Sequence, residues 1–193
     1  MAQLNVQNTS IAGVYLLEQL SDFSVTGQSQ TIFHAAQAAS FGLKTQFCAD
    51  ILHKAPKGSV RGLYYFTNFQ TAQTMQLIRG EVQVVVLDIR QGTRGFGQHE
   101  IIQLREGAGA SQLYIPAGVA FGVAVLSEQA DWLQKLTHFP DAHSMGGIYW
   151  SDADLRIAWP FQRPLQDPAE CSFPLLRDIV SSLPQKARLP VVL

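Results

Sequence analysis

The chain predicts an all-β protein, a jelly roll or small barrel, from three features. Short runs of β-branched, aromatic and long apolar residues recur along it, separated by turns built on Gly and Pro. One run, VQVVVLDI at residues 82–89, is apolar at nearly every position, as in a strand packed on both faces inside a sandwich or closed barrel. Helical composition is confined to two short stretches. Many short strands with little helix fit a layered or closed β architecture.

Taken in order, residues 4–20 begin polar and pass through Ala12-Gly13 into VYLLEQL, the first expected strand. Residues 21–30 read as a polar loop centred on Gly27. TIFHAAQAASFG, residues 31–42, turns helical, with an Ala-rich run stopped at Gly42. LKTQFCADIL, residues 43–52, is a short strand candidate, followed by the polar turn HKAPKG. RGLYYFT and TMQLI are strands by composition, and Arg79-Gly80-Glu81 reverses the chain into VQVVVLDI.

Residues 91–98, QGTRGFGQ, have a Gly-x-x-Gly-x-Gly order, but they join two β segments instead of opening a helix, so they read as a connection and not a phosphate loop. HEIIQL is the next strand; QLYIP, a Pro-Ala-Gly turn, FGVAVL and ADWLQKLT continue the pattern. Alternation puts Trp132, Gln134 and Leu136 on one face of the last of these, so Gln134 sits among apolar residues on a face that can look into a pocket. HFPDAHSMGG reads as a loop, IYWSDADLRIAWP as strand, turn and closing strand, and PLLRDIVSSL as a helix between prolines.

The 193 residues, 47% of them hydrophobic, suffice for one core. The expectation is a single domain over residues 1–193, with a barrel core at about 44–160 and a tail at 161–193. A net charge of -1, from 14 basic and 15 acidic residues without a basic cluster, gives no case for nucleic acid or a membrane surface. Cys48 and Cys171 lie far apart without CxxC spacing, which fits small buried hydrophobes in a reducing compartment. MAQLNVQNTS has no basic region leading into an apolar run, and no apolar run is long enough to span a membrane, so a cytoplasmic protein is expected.

RGLYY, RGEVQVVVLDIRQGTRGFGQ, QLYIPAGVAFGVAVLS and GIYWSDADLRIAWP together resemble the dTDP-4-dehydrorhamnose 3,5-epimerase family. The similarity runs over about residues 12–160 with hardly a gap. It implies a cupin-type jelly-roll barrel and a homodimer in which strands cross between subunits. It also implies metal-free proton chemistry beside a ketone, with a histidine–aspartate pair on one side of the sugar and a tyrosine on the other. Such chemistry needs groups that exchange protons on both faces of the substrate.

Against the family pattern, Tyr64 stands at the catalytic histidine, Gln134 at the tyrosine, Phe121 at a second histidine and Gln73 at a lysine, while Asp152 matches the aspartate. The nucleotide grip is reduced as well. Thr26 and Gln28 stand at an arginine and an aromatic of the first loop, Ala49-Asp50-Ile51 replaces Gln-Asp-Asn, and Arg61 is kept. A diphosphate is held by several cationic or N–H donors, and one arginine is a thin remainder.

Each site residue has two readings. Tyr64 is either an acid/base group beside Asp152, better as a donor given the ordinary phenol pKa of about 10, or an aromatic filling the histidine's space. Asp152 is either a general base with its pKa raised by an apolar pocket or a turn residue in SDAD. Gln134 either polarises a carbonyl oxygen or satisfies a buried polar group. Arg61, Gln73, Tyr114, Phe121, Trp132 and His143 are the expected substrate-binding residues, His143 from the loop at the pocket mouth. His34, His53, His99, His138 and His143 form no HxH, and Pro116-Ala117-Gly118 is not followed by a histidine, so neither metal nor cofactor is expected.

The leading expectation is a repurposed epimerase-like barrel that binds a neutral carbonyl compound and promotes its isomerisation or cyclisation, largely by fixing geometry. A secondary-metabolite pathway is its natural setting. The alternatives are an epimerase or ketoisomerase on a dTDP-4-keto-6-deoxysugar with an altered proton relay, and a non-catalytic small-molecule-binding dimer.

Overall fold

The computed structural model describes residues 4–19, 21–24, 26–108, 111–139 and 144–184. Its strands are β1 (Leu4–Asn8), β2 (Tyr15–Gln19), β3 (Ser21–Ser24), β4 (Gly27–Gln30), β5 (Ala49–Pro56), β6 (Val60–Phe66) and β7 (Gln73–Arg79). They continue with β8 (Glu81–Asp88), β9 (His99–Arg105), β10 (Gln112–Ile115), β11 (Val119–Val125), β12 (Gln129–Leu136) and β13 (Met145–Gly147). Two short helices, α1 (Ala35–Ser40) and α2 (Leu176–Ile179), complete the regular structure together with single 3-10 turns at Glu170–Ser172 and Val180–Ser182.

A six-stranded sheet in the order β1-β2-β10-β7-β12-β5 faces a five-stranded sheet in the order β13-β6-β11-β8-β9, and all pairings in both are antiparallel. This is the cupin-type jelly roll that the sequence predicts. Period two decides what lies between the sheets: Met75, Leu77 and Trp132 of the first meet Val84, Val86 and Phe121 of the second. The β7–β8 reversal is made by Gly80 at φ +89, where a Cβ would lie 2.3 Å from the Gln129 carbonyl oxygen.

The doubly apolar character of β8 has a direct cause. Val82, Val84 and Val86 enter the inter-sheet core, while Val85 and Leu87 point outward and are covered by the chain's end through Leu155, Leu176, Ile179 and Leu183. Each such side chain contributes about 1.5–3 kcal/mol by leaving water. Leu176, Ile179 and Leu183 are therefore packed onto the outer face of the five-stranded sheet.

The structure corrects several element readings. Residues 21–30 form the β3–β4 hairpin, paired from Ser21↔Gln30 to Ser24↔Gly27, and are not an irregular loop. β5 starts at Ala49 and runs through the expected turn to Pro56, because its pairing with β12 extends over its whole length. β13 lies in the expected loop, and residues 148–160 contain no strand; there the Trp159 Nε1–H donates to the Trp150 carbonyl at 2.7 Å. The closing helix is only α2 plus a 3-10 turn.

Candidate active site

A cavity of about 260 Å³ opens between the β5–β12 edge of one sheet and β6, β11 and β13 of the other. The five-stranded sheet contributes Arg61, Tyr64 and Phe121, and the six-stranded sheet contributes His53, Trp132 and Gln134. Arg61 and Tyr64 are three residues apart, a spacing that puts side chains on opposite faces of a regular strand. They share the cavity face because the β6–β11 register slips between Phe121↔Tyr64 and Val123↔Arg61. Gly62, at φ +94, occupies the slip, and a Cβ there would lie 2.7 Å from the Phe121 carbonyl oxygen.

Tyr64 donates its hydroxyl hydrogen to Glu170 Oε1. The other carboxylate oxygen accepts the Gly62 backbone N–H at 3.3 Å, and Glu170 is buried. Phe121 and Phe173 flank the phenol ring, with centroids 6.4 and 5.8 Å away. Burial, then the hydrogen bond and charge of Glu170, push the Tyr64 phenol well above its ordinary value, against a smaller opposing effect of Arg61. Tyr64 is therefore a phenol at neutral pH with its proton aimed at a carboxylate.

A hydrogen-bonded chain crosses from Arg61 on β6 to His53, Gln134 and Gln73 of the six-stranded sheet. Arg61 Nη1 lies 3.1 Å from His53 Nδ1, His53 Nε2 lies 2.8 Å from Gln134 Oε1, and Gln134 Nε2 donates to Gln73 Oε1. Guanidinium only donates and the Gln134 amide spends its N–H on Gln73, so His53 must accept at Nδ1 and donate from Nε2–H. Burial holds the imidazole below its ordinary pKa, with Gln134 raising it and Arg61 lowering it further. His53 is thus neutral, stacked on Trp132 at a centroid distance of 5.0 Å and an interplanar angle of 14°. The Arg61 guanidinium carbon lies 6.0 Å from the Trp132 ring centroid.

Among the expected site residues, Tyr64, Gln134, Arg61, Phe121 and Trp132 line this cavity. Gln73 lies behind Gln134, buried, and holds its amide without lining the space. Three expectations are corrected or fall outside. Asp152 is not the partner of Tyr64: its carboxylate oxygens accept the backbone N–H groups of Asp154 and Leu176, at 3.0 and 2.9 Å, and tie the SDAD turn to α2. Tyr114 faces away from the cavity, because Leu113 and Ile115 beside it on β10 take the inward positions; it packs with Leu17 and Leu43 instead. His143 lies outside the described residues.

Two residues were missed. Glu170 stands 106 positions from Tyr64 in a turn of the tail, and no local pattern marks it. His53 carried a signal: Ile51, His53 and Ala55 alternate with exposed Asp50, Leu52 and Lys54. Among the described residues no group of three or more His, Cys, Asp or Glu side chains is gathered as a metal site would require.

The family model for dTDP-4-dehydrorhamnose 3,5-epimerase matches residues 8–179. The chain belongs to this epimerase family. A dTDP-4-dehydrorhamnose 3,5-epimerase of Shigella flexneri is 33% identical over 168 residues, covering 84% of this chain and 90% of the relative. One from Salmonella typhimurium is 38% identical over 141 residues, covering 70% and 74%. The crystal structure of dTDP-6-deoxy-D-glucose-3,5-epimerase from Legionella pneumophila, in complex with dTDP-4-keto-L-rhamnose, superposes with a TM-score of 0.89 at 30% identity, covering 95% of this chain and 99% of that one. The family match extends past residue 160 and takes in Glu170, so the epimerase-type region includes part of the tail. These relatives are sugar-nucleotide epimerases, and they lend no support to the expected shift to a neutral substrate. No helix among the described residues is long and apolar enough to cross a membrane.

Proposed function

We propose that the protein is a proton-transfer isomerase acting beside the ketone of a nucleotide-linked 4-keto sugar, with Tyr64 and Glu170 moving the proton. The observation that carries this reading is the Tyr64–Glu170 hydrogen bond on the wall of the cavity. Because its pKa is raised, Tyr64 makes a poor free phenolate, so its own proton leaves as the new one arrives. The substrate proton passes to the Tyr64 oxygen, the phenol proton passes to Glu170, and the C–H electrons enter the carbonyl. Arg61, the one charged group among the described residues lining the cavity, is the group placed to receive an oxyanion, either the enolate oxygen or a nucleotide phosphate. A proton from water to the other face of that carbon gives an epimer, with the proton on Glu170 released to solvent; a proton returned through Tyr64 to the neighbouring carbon of an enediol gives a ketone isomer.

The cavity volume of about 260 Å³ suits one sugar-sized ring, with the nucleotide lying toward the mouth. Trp132 and Phe121 supply apolar walls, and Gln134, fixed by Gln73 and His53, supplies a rigid polar edge. The family resemblance supports a metal-independent, cytoplasmic homodimer. Incubation with dTDP-4-keto-6-deoxyglucose tests the reading. Conversion to a C3 or C5 epimer or a moved ketone is expected, and recovery of unchanged substrate would contradict it.

A second reading keeps the fold and changes the ligand to a neutral carbonyl compound that is isomerised or cyclised, or only bound. Its support is the lining, in which seven of eleven residues are apolar and one is charged. Calorimetric titration with dTDP separates the two, since only the first expects binding.

A further inference from the structure

We infer that His53 is a positioning residue that fixes the Arg61 guanidinium against the cavity as its receptor for an oxyanion. The inference rests on the sugar-nucleotide reading for the identity of that oxyanion, which is either a nucleotide phosphate or the enolate oxygen formed from the ketone. Arg61 projects from β6 of one sheet, and the acceptor that holds it comes from β5 of the other. Without such a partner a long guanidinium side chain samples many rotamers, and ordering it on a ligand weakens binding.

The geometry restricts His53 to this role. Its Nδ1 is taken by Arg61, its Nε2–H is taken by Gln134, and its ring lies parallel on Trp132. No ring nitrogen remains to exchange a proton with a ligand. The guanidinium, by contrast, has five N–H donors, of which His53 occupies one. The chain ends at Gln73, whose carbonyl sets the orientation of the Gln134 amide and so the tautomer of His53. An imidazole with the other tautomer would present N–H to Arg61 and repel it.

The two ring nitrogens can be replaced separately. Asn at this position keeps an acceptor near the place of Nδ1, whereas Gln keeps a polar group near the place of Nε2, and Phe keeps only the stacking surface. His53→Asn, His53→Gln and His53→Phe, each checked by thermal melting for folding, are compared in dTDP affinity and in solvent-deuterium exchange of dTDP-4-keto-6-deoxyglucose. The inference expects His53→Gln and His53→Phe to lose about tenfold or more, the scale of one charge-assisted hydrogen bond, and His53→Asn to recover most of that loss. If the lost property is dTDP affinity, the oxyanion is a phosphate; if it is the exchange rate at unchanged affinity, it is the enolate oxygen. Equal behaviour of the Asn and Phe variants would overturn the inference.

Imidazole ¹⁵N shifts of the free protein supply an arm that needs no substrate. They should report an unprotonated Nδ1 and a protonated Nε2 at neutral pH. The reverse tautomer overturns the role of His53 even if dTDP binds. The expected tautomer, with an Arg61 side-chain resonance that moves in His53→Phe and not in His53→Asn, supports it even if dTDP does not bind and the substrate reading fails.

Discussion

Tyr64 and Glu170 form a pair in which neither group suffices for the proposed step. Removing the phenol oxygen in Tyr64→Phe takes away the atom that meets the substrate proton while keeping the ring against Phe121 and Phe173. Turnover should fall by about 10²–10⁴-fold, the span of a lost acid/base group, while the protein stays folded at a cost of about 1–3 kcal/mol for the buried carboxylate that loses its donor. His53 gives a prediction about stability. Its pKa in the folded protein is lowered from the ordinary 6.5, chiefly by burial, so the unfolded chain binds the proton more readily. Its contribution to stability is complete above pH 6.5 and declines as pH falls through the folded value. Denaturant midpoints measured downward from neutral pH should drop more steeply in wild type than in His53→Asn.

At the scale of the element, the site depends on the register slip in β6. A regular strand would send either Arg61 or Tyr64 to the outer face, and Gly62 is the residue that permits the slip. Gly62→Ala adds a Cβ against the Phe121 carbonyl and places a side chain at a positive φ. A loss of about 2–4 kcal/mol is expected in denaturant titration, together with loss of activity. This slip also marks how far the sequence could be read. The RGL run and the family resemblance put Tyr64 and Arg61 in one site, and strict alternation placed Trp132, Gln134 and Leu136 together on β12. His53 was read as part of a turn, because Lys54, Pro56 and Lys57 gave its segment that composition and hid its alternation with Ile51. The pairing that makes it a strand comes from β12, some eighty residues away in sequence. Glu170 had no periodicity to reveal it, because its position is set by the packing of an irregular tail.

For the whole molecule, the tail beyond residue 160 has two tasks. It covers the outward residues of β6, β8 and β11, and it delivers Glu170 to Tyr64. Asp152, expected in the site, serves the first task by accepting the Leu176 N–H. Leu176→Ala should therefore cost about 2–4 kcal/mol in unfolding free energy through lost packing, with activity per folded molecule near wild type. A chain ending at residue 160 should lose turnover altogether and expose Leu63, Val85 and Leu87, detectable as aggregation. A layered or closed β architecture was legible in the doubly apolar β8 and the Gly-centred reversal, and the family resemblance narrowed it to the jelly roll. The tail's contribution was not legible, since the contacts that seat it join distant positions, Glu170 to Tyr64 and Gln91 to Val180.

The most direct measurement is ¹H NMR of dTDP-4-keto-6-deoxyglucose incubated in D2O with wild type, Tyr64→Phe and Glu170→Gln. The proposed chemistry requires loss of the proton signal at a carbon beside the ketone with wild type, slowed about a hundredfold or more in both variants. Absence of exchange with folded wild type, or exchange undiminished in Tyr64→Phe, would contradict it.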